Sequence, residues 1–314
     1  MADFDVVCIG VTLMDLPLGP MDEQIFSEET TMVQNISLTT GGDAFNESII
    51  LSRLGKKTAL IGHIGKDMLG DIIIKRCEEE GIDHSRLRRD PEISTRINVV
   101  VIGKDGQRHF IKTKNAGSRS FSVNEIDYKF ITKARAVSLA SIFASKFRDP
   151  EVILKILKTA QKNHVITFAD MVPMTGGETL EDIKNALPYL DFFLPNLEEA
   201  AMLTGFNNPD DMADCLLQHG VKNVIIKLGK DGCLIKNNNE RVLIPSYPAK
   251  VIDTTGAGDN FTAGFIAAIL DDLTLAECGA FANAAAGVST ESVGATEGVK
   301  NKQQIEVYQK VKRE

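Results

Sequence analysis

Short apolar runs recur along the chain, and most are followed by a stretch in which apolar and polar residues alternate at helical spacing. Asp5–Val11 is the first such run, of the kind that fits a strand buried on both faces of a parallel sheet. Lys57–Gly62 reads the same way, and Met68–Glu80 reads as an amphipathic helix stopped by Gly81. From Ala134 the alternation is regular. Strands are expected at Ala136–Ile142, Val165–Ala169, Asp191–Leu194 and Val221–Leu228, with a β-type run over Arg241–Ile252. Helices are expected at Pro150–Lys162, Leu180–Leu187, Leu197–Leu203 and Pro209–His219, then at Phe261–Leu270 and in the Ala-rich stretch Leu275–Thr290. Such repetition predicts an α/β fold of three layers, α/β/α, around a mostly parallel central sheet.

Two stretches break the pattern. Leu16–Thr40 contains Pro17, Gly19 and Pro20 and alternates only weakly, so it reads as strands that leave the main sheet, the second near Met32–Leu38. Thr95–Ile102 and Arg108–Thr113 flank Gly103-Lys-Asp-Gly106, the signature of a hairpin. Together they predict a small β-sheet, from about 14–40 and 94–115, outside the main fold. Short repeats, low-complexity segments and linkers are absent, so 1–314 reads as one domain with this appendage.

Composition narrows the function. Of 314 residues, 43% are hydrophobic and 25% charged, ordinary for a globular protein. A net charge of −8 argues against a nucleic-acid or anionic-membrane surface. No apolar run approaches the ~20 residues that span a bilayer, and the N-terminus shows no signal peptide. The five cysteines are scattered without a C-x-x-C pair, which suggests reduced thiols in the cytoplasm rather than disulfides or zinc.

The chemistry concentrates in Asp253-Thr-Thr-Gly-Ala-Gly-Asp259-Asn-Phe, between a β-type run and a helix. A helix N-terminus presents unpaired N–H groups and the positive end of the helix dipole, and glycines let its backbone approach an anion. Asp259 is out of place in a site that only binds phosphate, because a carboxylate repels the ligand. It suits a site in which a hydroxyl loses its proton while attacking a phosphorus atom. The plainer reading is a Gly-rich helix start with an acidic residue in its first turn.

This stretch closely resembles the C-terminal signature of the ribokinase-like (PfkB) carbohydrate kinases. The resemblance implies ATP-dependent phosphorylation of an alcohol, with Asp259 as base and Gly256, Ala257 and Gly258 as the anion hole. It extends through three earlier motifs in family order. Gly41-Gly42-Asp43-Ala-Phe-Asn46 is similar to the family's sugar-holding Gly-Gly-x-x-x-Asn. Asn196-Leu-Glu-Glu199 is similar to an Asn-x-x-Glu motif that organises Mg²⁺ and its waters at the phosphates; as a capped helix start it needs no ligand at all. Lys227-Leu-Gly229-Lys-Asp-Gly232 resembles the nucleotide loop, although the family usually has a small hydroxyl residue where Lys227 stands. By the same resemblance Asp15 binds acceptor hydroxyls and Asn283 lies near the adenine. Asp253, Thr255, Ser289, Ser292, Gly294 and Gly298 would form a K⁺ site, and the small sheet a lid that also pairs two chains as a homodimer.

The acceptor is read from departures from the family pattern. Ribokinases carry a Glu in the segment corresponding to Val137–Ser141, where Ala140 and Ser141 stand, which speaks against ribose. Fructokinases show an Arg near Lys114, and often an Asp-x-Asn-x-Arg run where this chain has Asp170-Met-Val-Pro-Met. A fructose-like ketohexose is therefore the first expectation and a nucleoside the second. A non-catalytic sugar or nucleotide sensor would gain nothing from Asp259. A Rossmann dehydrogenase is excluded, since no G-x-G-x-x-G follows Asp5–Val11.

Overall fold

The computed structural model describes residues 2–33, 36–104, 108–112, 120–144, 147, 149–174 and 176–312. Its first half runs β1 (Phe4–Ile9), β2 (Leu13–Met21), β3 (Thr39–Gly41), α1 (Asp43–Arg53), β4 (Thr58–Gly65), α2 (Met68–Glu79), β5 (Asp83–Asp90), β6 (Ile97–Gly103) and β7 (Arg108–Lys112). Then come α3 (Tyr128–Ile131), β8 (Ala134–Ile142), α4 (Pro150–Lys162), β9 (Ile166–Met171), α5 (Leu180–Ile183), β10 (Phe192–Phe193) and α6 (Leu197–Thr204). The chain closes with α7 (Pro209–Gln218), β11 (Asn223–Lys227), β12 (Cys233–Asn237), β13 (Arg241–Ile244), α8 (Ala257–Leu270), α9 (Leu275–Thr290) and α10 (Lys302–Val311).

Nine strands form one sheet in the order β13-β12-β11-β10-β9-β8-β1-β4-β5. It is parallel from β11 to β5, and β12 and β13 extend it antiparallel. Side chains of β1 alternate between two cores: Val6 and Cys8 enter one cluster with α1, α2, α8, α9 and α10, while Val7 and Ile9 enter the other with α3, α4, α6 and α7. The expected three layers follow from this alternation. Four strands form a separate sheet, β3-β2-β6-β7.

Several boundaries differ from expectation. Met32–Leu38 holds no strand among its described residues; the antiparallel partner of β2 is the short β3. The β-type run ends at Ile244, because Pro245 and Pro248 withhold ladder donors. Regular helix from Leu180 stops at Ile183, short of Pro188. Strand β5 went unread because it is an edge strand in which only Leu87 and Asp90 are buried. Helix α10 buries Ile305 alone and offers little apolar period.

Helix α8 is apolar almost all round, and it packs against both α1 and α9. Phe265 fixes it to the sheet. Its ring meets Phe192 edge-on at 5.7 Å, and Phe192 stacks on Phe168 at 4.8 Å. Phe265→Ala removes a fully buried ring, so urea denaturation should show a loss of about 3–5 kcal/mol; a loss below ~1 kcal/mol would mean that α8 is held by other contacts.

Candidate active site

The site is built at the carboxyl ends of the parallel strands, where open α/β sheets place their ligands. Gly256 caps α8 in the left-handed conformation, with φ of 72°, and no side chain caps the helix. A Cβ at Gly256 would stand 2.6 Å from the Cβ of Ala295, so both backbone and space demand glycine. The Asn260 amide locks the turn by donating to the carbonyls of Gly256 at 2.8 Å and Ala295 at 2.7 Å. The N-terminus of α8 is thereby aimed and left open to a ligand.

Two cavities meet there. One, of about 660 Å³, is lined by Asn196, Glu199, Lys227, Gly229, Gly232 and Asn283, all expected around the nucleotide. The other, of about 850 Å³, is lined by Asp15, Gly42, Asp43 and Asn46, expected around the acceptor. Ala257, Gly258 and Asp259 line both. Gly256 and Thr255 line the second, and Gly41 lies beneath it, packed against the Asp15 carboxylate. Lys114 falls outside the described residues.

Asp253, Ser289, Ser292, Gly294 and Gly298 line neither cavity. The Asp253 carboxylate stitches this region together, accepting from the Thr255 N–H at 2.9 Å, its hydroxyl at 2.6 Å and the Gly294 N–H at 2.9 Å. Gly298 packs on the Ser289 backbone. The expected cation-site residues thus form one knot of loops beside the α8 turn.

Asn196 and Glu199 form a reciprocal capping box. The Asn196 side chain accepts from the Glu199 N–H at 2.9 Å, and Glu199 Oε2 accepts from the Asn196 N–H at 2.8 Å. The capped helix start is therefore present, on a residue that also faces the cavity. Asn283 donates its amide to the carbonyls of Ile244 and Pro245, both at 3.2 Å.

Charge is the site's most unusual property. Asn46 donates to Asp259 at 2.7 Å, and the Ser141 hydroxyl donates to Asp43. Glu47, fully buried, accepts from the Ser138 hydroxyl at 2.6 Å. Lys227 pairs with Asp170 and lies within the influence of Glu199 and Asp259. Burial pushes Asp43, Glu47 and Asp259 above the usual carboxylate range, and the carboxylates raise one another further. Burial likewise takes Asp15 up to about 6 and Glu199 up to about 7.

Asp170, Glu47, Arg96, Asn98 and Lys112 were missed as site residues. Asp170 ends the apolar strand β9, which is itself a signal. Glu47 lies one turn after Asp43. Asn98 pairs with both Asp15 and Lys112, and Arg96 lies two residues earlier, so all four share one face of the small sheet.

Comparison with known proteins agrees with the fold and the enzyme class. The model of the pfkB family carbohydrate kinases matches residues 3–302. Ribokinase of Haemophilus influenzae is 27% identical over 88% of this chain and 89% of its own length. Probable fructokinase-5 of Arabidopsis thaliana is 29% identical over 81% and 83%. The structure of Arabidopsis thaliana ribokinase complexed with ribose and ATP superposes with a TM-score of 0.81, at 25% identity and 99% coverage of both chains. Fold and site define a phosphotransferase that acts on a carbohydrate hydroxyl. The chain belongs to the pfkB family of carbohydrate kinases.

Glu199 makes the charge strain measurable. Its folded pKa of about 7 exceeds the ordinary 4.5, so the folded protein keeps a proton that the unfolded chain releases. The resulting stability is present below the unfolded value and lost as pH rises through about 7. Between pH ~5 and ~8, Glu199→Gln should therefore lose less unfolding free energy than the unaltered protein in urea titrations. Equal losses would show that Glu199 is not held protonated.

Proposed function

We propose that this sugar kinase transfers the γ-phosphoryl group of Mg·ATP to a hydroxyl of a small carbohydrate, with a fructose-like ketohexose as first candidate. The observation that carries the reading is the meeting of two cavities at one open helix N-terminus, beside the Asp43 and Asp259 carboxylates. ATP is drawn from the relative that holds it, with the adenine toward Asn283 and the phosphates toward Asn196, Lys227, Gly229 and Gly232. The acceptor lies against Asp15, Gly42, Asp43 and Asn46. Asp259 removes the hydroxyl proton as the oxygen attacks in line, and the N–H groups of the Gly256–Gly258 turn face the charge of the transferring group.

The donor set suits Mg²⁺. Among the described residues no three His, Cys, Asp or Glu side chains gather as a metal cage, and Mg²⁺ prefers water and phosphate oxygens with one or two carboxylates. Glu199 is the carboxylate placed to hold its waters; the ion would neutralise charge on the phosphates. K⁺ belongs, on this reading, to the knot around Asp253, where it would stiffen the α8 turn.

The chain works as one domain whose small sheet covers the acceptor and excludes water, which would otherwise take the phosphoryl group. The hydrophobic Phe26, Met32 and Ile111 are exposed, which supports pairing of two chains through this region. No helix among the described residues is long and apolar enough to cross a membrane, and five free cysteines support a cytoplasmic location.

ADP release from Mg·ATP over a panel of ketohexoses, aldoses, sugar acids and nucleosides, with and without K⁺, tests the reading. One sugar should stimulate release, and Asp259→Asn should lower kcat by ~10²–10⁴ with the fold intact. Stimulation by a nucleoside alone would replace the acceptor. Unchanged turnover in Asp259→Asn would remove Asp259 as base.

A further inference from the structure

Lys227 is a cation in a place where stability alone gives no reason for one. Its side chain is 12% exposed and pairs with Asp170, 6% exposed. Apolar residues of similar volume often replace such a pair without loss. Yet the Asp170 carboxylate is held on two further sides, by the Thr262 hydroxyl at 2.8 Å and by the Met171 N–H at 2.8 Å. Asp170 is therefore a fixed post, and Lys227 is tethered to it.

The tether directs the ammonium at the α8 turn. It stands 3.6 Å from where a Cβ on Gly258 would be, so glycine there keeps open the space between lysine and helix N-terminus. Lys227 lines the same cavity as Asn196, Glu199, Gly258 and Asp259. Asp43, Glu199 and Asp259 line that cavity as well, and Glu47 lies close enough to act on Asp259. A terminal phosphoryl group brought among these carboxylates is repelled unless a cation faces it.

We propose that Lys227 contacts the γ-phosphoryl group, shifting from Asp170 toward its oxygens during transfer, and that Asp170 is the positioning residue that holds it ready. The proposal rests on the kinase reading above. The ammonium keeps all its protons. The acceptor's hydroxyl proton goes to Asp259, a P–O bond forms to the acceptor oxygen, and the bond to the β-phosphate oxygen breaks with its electron pair leaving on ADP. Lys227 and the α8 N–H groups bear on the oxygens between these two events. A lysine held by a buried partner loses little further freedom on contact, which favours pre-organised stabilisation.

ADP lacks the group that Lys227 would touch, so the test is discrimination between nucleotides. Calorimetric titrations with a non-hydrolysable Mg·ATP analogue and with Mg·ADP compare the unaltered protein, Lys227→Met, and the double variant Lys227→Met/Asp170→Asn. The double variant removes both charges of the pair, so Asp170 is not left as an unpaired buried carboxylate, and it guards against simple misfolding. The preference for the triphosphate should fall ~10–100-fold in both variants, the span of one charge-assisted hydrogen bond, with ADP affinity little changed. Retention of the preference, or equal loss of both nucleotides, overturns the proposal and makes Lys227 a structural residue. An unaltered protein that binds neither nucleotide overturns the kinase reading itself.

Discussion

Gly256 lies against Ala295 with no room for a side-chain carbon between them, and the direction of helix α8 follows from that contact. The partial positive charge of a helix N-terminus fades within one turn, so it serves a reaction only if the first turn is aimed to within a fraction of its own width. Three features aim it. Gly256 takes a left-handed backbone, Asn260 bonds to carbonyls on both sides of the contact, and Asp253 ties the loop before the helix to Gly294. Asp259 sits between Gly256 and Asn260, so the bonds that fix the turn also fix the carboxylate.

The same region concentrates negative charge that the rest of the protein would avoid. Asp43, Glu47, Asp170, Glu199 and Asp259 act on one another around one lysine. A carboxylate raised toward neutrality is a stronger base than an exposed aspartate. The raised values that favour proton transfer also mean that the folded state loses stability as pH rises. Activity and stability draw in opposite directions here.

The layered fold and much of the site were legible in the sequence because both depend on local order. Buried parallel strands read as apolar runs, and the α8 turn needs glycines at fixed places in nine consecutive residues. Asn196 illustrates the limit of such reading: capping box and cavity lining occur on one residue, and its letters do not separate the roles. Lys227 and Asp170 were read singly, because their pairing depends on β9 and β11 flanking β10 in the sheet. Glu47 was hidden for a related reason, since only the packing of α1 against β8 brings it to Ser138. Edge strand β5 was illegible because an edge needs charge to discourage further pairing.

The small sheet divides the chemical work. On the proposed function, transfer depends on α8, β9 and β11. On the same proposal, recognition falls to Gly42, Asp43 and Asn46 and to the wall of the small sheet, where Asp15, Arg96, Asn98 and Lys112 line the 850 Å³ cavity. A substitution at one of these positions changes what the wall offers a hydroxyl without moving Asp259 or the helix turn. Relatives are named for ribose and for fructose, and a common frame with different wall residues would account for both. Three of the four motifs contribute to the 660 Å³ cavity and the α8 turn, so the pattern names the reaction class readily, whereas the acceptor is written in wall residues whose period-two spacing marks their face and not their ligand.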